Sequence, residues 1–176
     1  MTNFQDHTSK QLRGLLKFLV VCMGLCISVC LLTGASSIPI PQSKEFETAV
    51  NIIKSYEGMH YNKGSFVGYG HKILPGEGLK RNQRLSETQA DQLLRKDLAA
   101  LCKKYRSFGK DSLLLSALAY NCGIGTVAKS TVYKRLKAGN RDIKDSYLSH
   151  CRYRGKVMSQ IKRRRAEEYE KLFVKD

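Results

Sequence analysis

Apolar residues recur at helical spacing along most of this chain, and only one region replaces that period with short apolar pairs broken by glycine. Phe46, Ala49, Val50, Ile53 and Tyr56 mark one face of a first helix, with Ser43 as its N-cap and Gly58 as its stop. Between Tyr61 and Gly78, five glycines and a proline separate Phe66-Val67 from Ile73-Leu74, which predicts a small hairpin with tight turns. Helices then resume. Ser86 and Gln89 form a capping-box pattern, and Leu93, Leu94, Leu98 and Leu101 supply the buried stripe of a helix running to about Lys104. A shorter helix after Asp111 carries Leu114, Leu115, Leu118 and Ala119 and stops at Asn121 or Gly123. Further helices are expected after Ser130, ending at Gly139, and near Asn140, running to about His150. A last, strongly charged helix is expected from Lys156 to Phe173. There is no internal repeat or low-complexity tract. The expected fold class is α+β, mostly helical, with one small β-hairpin sheet near the N-terminal side.

The first segment has a different character. Lys10, Arg13 and Lys17 precede an apolar run from Phe18 to Leu32, followed by small residues up to Ser37. Basic, apolar, then small is the order of an export signal, and the run is short for a bilayer span. Residues 1–35 therefore read as a signal peptide cleaved after Ala35 or Ser37, or else as an N-terminal membrane anchor associating with the inner membrane through residues 18–33. Leu25 and Val29 spoil any lipobox before Cys26 or Cys30. Pro39 and Pro41 make residues 36–42 an extended linker, and residues 43–176 form the catalytic domain. Among 176 residues the net charge is +16. Residues 1–35 carry three basic side chains and one acidic, so the rest keeps a net +14, which calls for a polyanionic partner. An export signal directs that preference away from nucleic acid and toward anionic polymers of the cell envelope. The expected setting is the periplasm or cell envelope, and a monomer is expected. Of six cysteines, Cys102, Cys122 and Cys151 lie in the body; an odd count cannot all pair within one molecule, so small buried thiols are expected, with room for one disulfide. A retained leader exchanging disulfides with the body is the alternative.

The candidate chemistry begins at Glu57. A carboxylate in the last turn of a helix feels the negative end of the helix dipole, and Tyr56 and Met59 beside it add desolvation. Both favour a protonated carboxyl, the form that a general acid needs to release a sugar oxygen. Downstream, Gly68 and Gly70 flank Tyr69 on the expected strand, where missing side chains let a substrate or another backbone approach closely. Gly-Tyr-Gly-His taken alone reads as a bulged hairpin. His71 reads most simply as a brace that pairs with an acidic group on a later helix, and Tyr69 either stacks on a sugar or packs. Asn121 is either a substrate-facing amide or a helix C-terminal residue. The basic run Lys162 to Arg165 reads as a solvated helix face, with Arg163–Glu167 and Arg164–Glu168 pairs, or as a footing on anionic wall polymer. No Cys/His spacing suggests zinc and no phosphate loop is present, so neither metal nor cofactor is expected.

Together these stretches resemble the phage-type lysozymes of glycoside hydrolase family 24. A helix ending in Glu57-Gly58 leads to Gly68-Tyr69-Gly70-His71, then to Tyr120-Asn121-Cys122-Gly123, Ser130-Thr131 with Leu136 and Gly139, and Gly155 to Glu168. Phe66 to His71 and Leu74 to Glu77 are similar to the TraQ-type lysozyme-like proteins of Bacteroides conjugative transposons. The resemblance implies a lysozyme-like fold and a muramidase cutting peptidoglycan glycan strands, for local wall opening by a conjugative or phage-derived element. It also implies Glu57 as catalytic acid, with Gly68, Tyr69 and Asn121 binding substrate. One departure bears on mechanism. The family usually places an Asp and a Thr between the catalytic Glu and the glycine strand, whereas residues 58–76 contain no Asp or Glu and Phe66 takes the Thr place. Three outcomes stay open: an inverting hydrolase in which Ser65, His71 or Asn62 positions the water, a single-acid lytic transglycosylase, or a peptidoglycan-binding fold without turnover.

Overall fold

A computed structural model describes residues 40–175. The leader and most of the linker lie outside the described residues. Residues 40–43 run without regular structure into α1 (Lys44–Glu57), where the Ser43 side chain accepts from Phe46 N at 3.1 Å. Phe46, Ala49, Val50 and Ile53 are buried as the spacing selects, Ile52 is buried with them, and Tyr56 is half-buried.

The glycine-rich region forms an antiparallel meander of three strands rather than a single hairpin: β1 (His60–Lys63), β2 (Phe66–Gly68) and β3 (His71–Lys72). His60 pairs with Gly68 and Val67 with His71, with a bulge in β1 between its two pairing points. The third strand has two residues, too few for a period-two pattern to show in the sequence.

The capping box at Ser86 and Gln89 opens α2 (Glu87–Lys104), whose fully covered stripe is Ala90, Leu94, Leu98 and Ala99. Leu93 and Leu101 are half-buried against the same core. After a short 3-10 segment, α3 (Ser112–Cys122) passes through the centre with Leu114, Leu115 and Leu118 fully buried. Each such leucine stabilises the fold by about 1.5–3 kcal/mol relative to exposure. Two short helices follow, α4 (Ile124–Lys129) and α5 (Thr131–Lys137), the latter capped by Ser130.

The C-terminal third departs from expectation twice. The helix expected from Asn140 begins only at α6 (Lys144–Leu148), because the Asn140 side chain accepts from Asp142 N at 2.8 Å and holds a turn there. Lys156 does not open the last helix. It lies in a second hairpin, β4 (Arg152–Tyr153) with β5 (Lys156–Val157), and α7 runs from Ser159 to Leu172. Arg154 and Gly155 both have positive φ, 49° and 80°, giving a two-residue turn inside a stretch that reads only as charged. The described residues therefore contain two small sheets, not one. Among them no helix is long and apolar enough to cross a membrane, and Cys102, Cys122 and Cys151 are free thiols.

Candidate active site

Glu57 is the last residue of α1, and Gly58 at φ 65° turns the chain straight into β1, so the carboxylate is presented at the helix end. Its Oε1 accepts from Arg164 Nη1 at 2.6 Å and from Asn121 Nδ2 at 3.4 Å. Its Oε2 stands 3.8 Å from His60 Nε2, and a fifth of the side chain (20%) stays exposed. A full positive charge thus sits at hydrogen-bonding distance, where the sequence suggests only apolar neighbours and the dipole's negative end.

That charge comes from α7, and the solvated-face reading of the basic run needs correction. Arg164 and Arg165 are buried, as is Glu168. Glu168 accepts from Arg164 Nε at 2.8 Å, from Arg165 Nη1 and from the Tyr147 hydroxyl at 2.8 Å. Arg165 also donates to Asn121 Oδ1. The contacts close a ring, Glu168–Arg164–Glu57–Asn121–Arg165, in which each buried charge has an opposite or polar partner, as burial requires. One edge is open: Arg164 Nη2 finds no acceptor, and the guanidinium carbon lies 5.9 Å from the centre of the Tyr56 ring. The Arg164–Glu168 pair matches the spacing expectation. Glu167 instead accepts from the Tyr56 hydroxyl at 2.9 Å.

The sheet forms the other wall. Gly70, not Gly68, faces the acid: a Cβ on Gly70 would lie 3.7 Å from Glu57 Oε2, and its φ of 94° favours glycine. Gly68 points elsewhere, since a Cβ there would meet Ala90 Cβ at 3.0 Å, so its missing side chain lets β2 close on α2 rather than admitting substrate. Tyr69 packs rather than stacking on a sugar. It is 7% exposed, donates its hydroxyl to Glu87 and lies under Lys54 Nζ at 5.0 Å from the ring centre. Burial pushes its phenol pKa up. Tyr120 of α3 ties the walls together by donating to the Tyr69 carbonyl at 2.9 Å.

His71 is 4% exposed, with Nδ1 2.7 Å from Asp97 of α2 and Nε2 3.0 Å from Glu77. The Asp97 contact raises its pKa above the usual histidine value, and Glu77 adds to this. With both ring nitrogens engaged, His71 braces the sheet and has no free nitrogen to hold a water. Ser65 sits in the β1–β2 turn, where its carbonyl accepts from Ile73 N at 2.9 Å, and Asn62 falls within β1. Asn121 is the penultimate residue of α3, as the helix-end reading has it, and its amide reaches Glu57.

A cleft of about 530 Å³ opens beside these groups, bounded by Phe66, Gly70, Leu74, Lys104, Tyr120 and Ile124. Asn121 also lines it, so two of Glu57's neighbours, Gly70 and Asn121, border the cleft, while Glu57 itself stands behind them and is not part of the lining. A second cavity, of about 430 Å³ around Asp111 and Arg141, contains none of the expected residues. Among the described residues no group of three His, Cys, Asp or Glu side chains could hold a metal ion. The sequence reading missed Arg164 and Tyr120 as site residues, and it named Gly70 beside Gly68 without separating their roles. Arg164 was visible only as half of an i,i+4 pair, and no local pattern connects it with a carboxylate 107 residues earlier.

Comparison with known proteins bears on the family and the fold. The Phage lysozyme family model matches residues 54–168. An endolysin of Bacillus phage B103 is 30% identical over 142 residues, an alignment taking in 69% of this chain and 51% of the relative. This chain thus spans about half the length of that curated relative. Among solved structures, the endolysin from Escherichia coli O157:H7 phage FAHEc1 superposes with a TM-score of 0.57 at 22% identity, over 76% of this chain and 96% of that one. The active form of the P1 phage endolysin Lyz gives 0.53 at 13% identity, over 81% and 89%.

Proposed function

Because this chain belongs to the phage lysozyme family, as the match over residues 54–168 establishes, we propose that it is a peptidoglycan hydrolase with Glu57 as its catalytic acid. The bond cut is the β-1,4 linkage between N-acetylmuramic acid and N-acetylglucosamine. The observation that carries the reading is Glu57 itself: a single carboxyl at a helix end, fixed by Arg164 at 2.6 Å and set against side-chain-free Gly70, which borders a 530 Å³ cleft. A glycan strand in that cleft would bring its glycosidic oxygen to the carboxyl. Glu57 gives the oxygen its proton, the C1–O bond breaks, and water attacks C1 from the opposite face.

One distance narrows which group holds that water. In inverting glycosidases the acid and the water-binding group stand about 6.5–9.5 Å apart. His60, at 3.8 Å from Glu57 Oε2, is too close to serve across a sugar ring. With His71 occupied, Ser65 and Asn62 remain the proposed water-positioning groups. The absence of any Asp or Glu from residues 58–76 favours a second reading, in which the substrate's own acetamido oxygen attacks C1 and the sugar's C6 hydroxyl then displaces it, giving its proton to the Glu57 carboxylate and leaving an anhydro end. The proposed setting is the cell envelope, reached through the leader, with wall opening for a conjugative or phage-derived element as the proposed role.

The test is release of soluble fragments from purified peptidoglycan by wild type and by Glu57→Gln. General-acid catalysis contributes about 10²–10⁴-fold, so the variant should lose at least a hundredfold. Equal rates would remove Glu57 as the catalytic acid, and no release by either protein while both bind glycan would leave a wall-binding module without turnover.

A further inference from the structure

The β4–β5 hairpin is the one strand pair of the described residues that covers nothing. A sheet normally lays one face on the core, and an isolated two-stranded hairpin is marginal in water. Here all four strand residues are exposed. Their register alternates the chemistry. Tyr153 stands opposite Lys156 and Arg152 opposite Val157, so each face carries one apolar side chain and one cation. Tyr153 is 59% exposed, Val157 50% and Met158 42%. Arg154 at the turn lies over the Tyr153 ring at 5.4 Å, and Arg152 donates to the Gly155 carbonyl at 3.2 Å.

The charge around it has one sign. From Ser146 to Ala166 there is no Asp or Glu, while Arg152, Arg154, Lys156, Lys162 and Arg163 are all exposed. Such a patch attracts a polyanion, and the apolar side chains distinguish among polyanions. A hydrated wall polymer or a nucleic acid backbone offers nothing to Val157 and Met158. A phospholipid leaflet does, because apolar groups enter the acyl boundary while Tyr, Lys and Arg keep their polar ends at the headgroups. We propose that this hairpin is a membrane-docking wedge for an anionic phospholipid surface, separate from the cleft and independent of the leader.

The chain contains no tryptophan, so Tyr153→Trp in the full-length protein puts the sole indole at the wedge and reports on it wherever the leader goes. Retained wall-degrading activity would show that the variant folds. With phosphatidylglycerol-containing vesicles, its emission should shift to the blue and be quenched by brominated lipid. Replacing Arg152, Arg154 and Lys156 with Gln in the same protein should weaken that response by roughly fivefold per charge. The proposal is overturned if the indole stays at its water-exposed emission and open to acrylamide. It is equally overturned if the triple replacement leaves the shift unchanged, or if isolated peptidoglycan shifts the emission and the vesicles do not.

Discussion

Glu57 stands between two walls of unlike construction. The helical wall, made by α7 and the end of α3, holds it with buried charge: Arg164, Arg165 and Glu168 are almost wholly covered, and each is paired. The sheet wall offers shape in place of charge, since its contribution nearest the acid is Gly70, and its ionic pair, His71–Asp97, braces β3 against α2. The helical wall therefore fixes where the carboxyl points, and the sheet fixes what can reach it. A site built this way can lose a carboxylate from the sheet with little disturbance to Glu57, because its hydrogen bonds come from α7 and α3 and the strands contribute only His60 at 3.8 Å.

The sharpest way to break this contrast is Glu168→Ala. It strands two buried guanidinium groups, and breaking a buried ion pair costs about 3–5 kcal/mol. Urea unfolding should show a loss of that size, and a loss below about 1 kcal/mol, the value of an exposed pair, would mean that the ring of charges is not what supports Glu57. On the sheet wall, Gly68→Ala puts a methyl 3.0 Å from Ala90 Cβ at a φ of 57°. The combined clash and left-handed strain should cost about 2–3 kcal/mol. If that variant unfolds normally but loses substrate binding, Gly68 belongs to the cleft after all.

The smallest effect concerns pH. His71 has its pKa raised in the fold, chiefly by Asp97, so its contribution is complete below its ordinary value near 6.5 and disappears as pH rises through the folded value. His150 runs the other way: burial lowers its pKa, and its contribution is lost on acidification. The informative quantity is thus the difference between wild type and Asp97→Asn. The variant should be less stable by about 1 kcal/mol in mild acid, a modest figure because the pair is partly open to solvent, and the gap should narrow toward alkaline pH. A gap independent of pH would remove the charge from the brace.

The sequence made the helical frame legible and left the site half-readable, for physical reasons. Ser43, the Ser86 capping box, Ser130 and the stops at Gly58 and Gly123 are local signals, and each governs the backbone where it stands. Glu57 was legible because helix end, glycine strand and family order converge on it. Arg164 was not, since burial of a basic run depends on what α7 packs against, and four consecutive basic residues look solvated from the sequence. Gly68 and Gly70 look equivalent in a string. Only the fold separates them, since Gly68 ends β2 against Ala90 whereas Gly70 lies in the β2–β3 turn beside Glu57.

The central claim is that one carboxyl suffices, with water as the attacking group. The most direct measurement is mass spectrometry of the ends released from purified peptidoglycan by the wild-type protein. Reducing N-acetylmuramic acid ends, carrying one oxygen from labelled water, are the predicted result. Anhydro ends without the label would contradict it, since the oxygen then reaching C1 is the sugar's own C6 hydroxyl, as the acetamido-assisted reading requires.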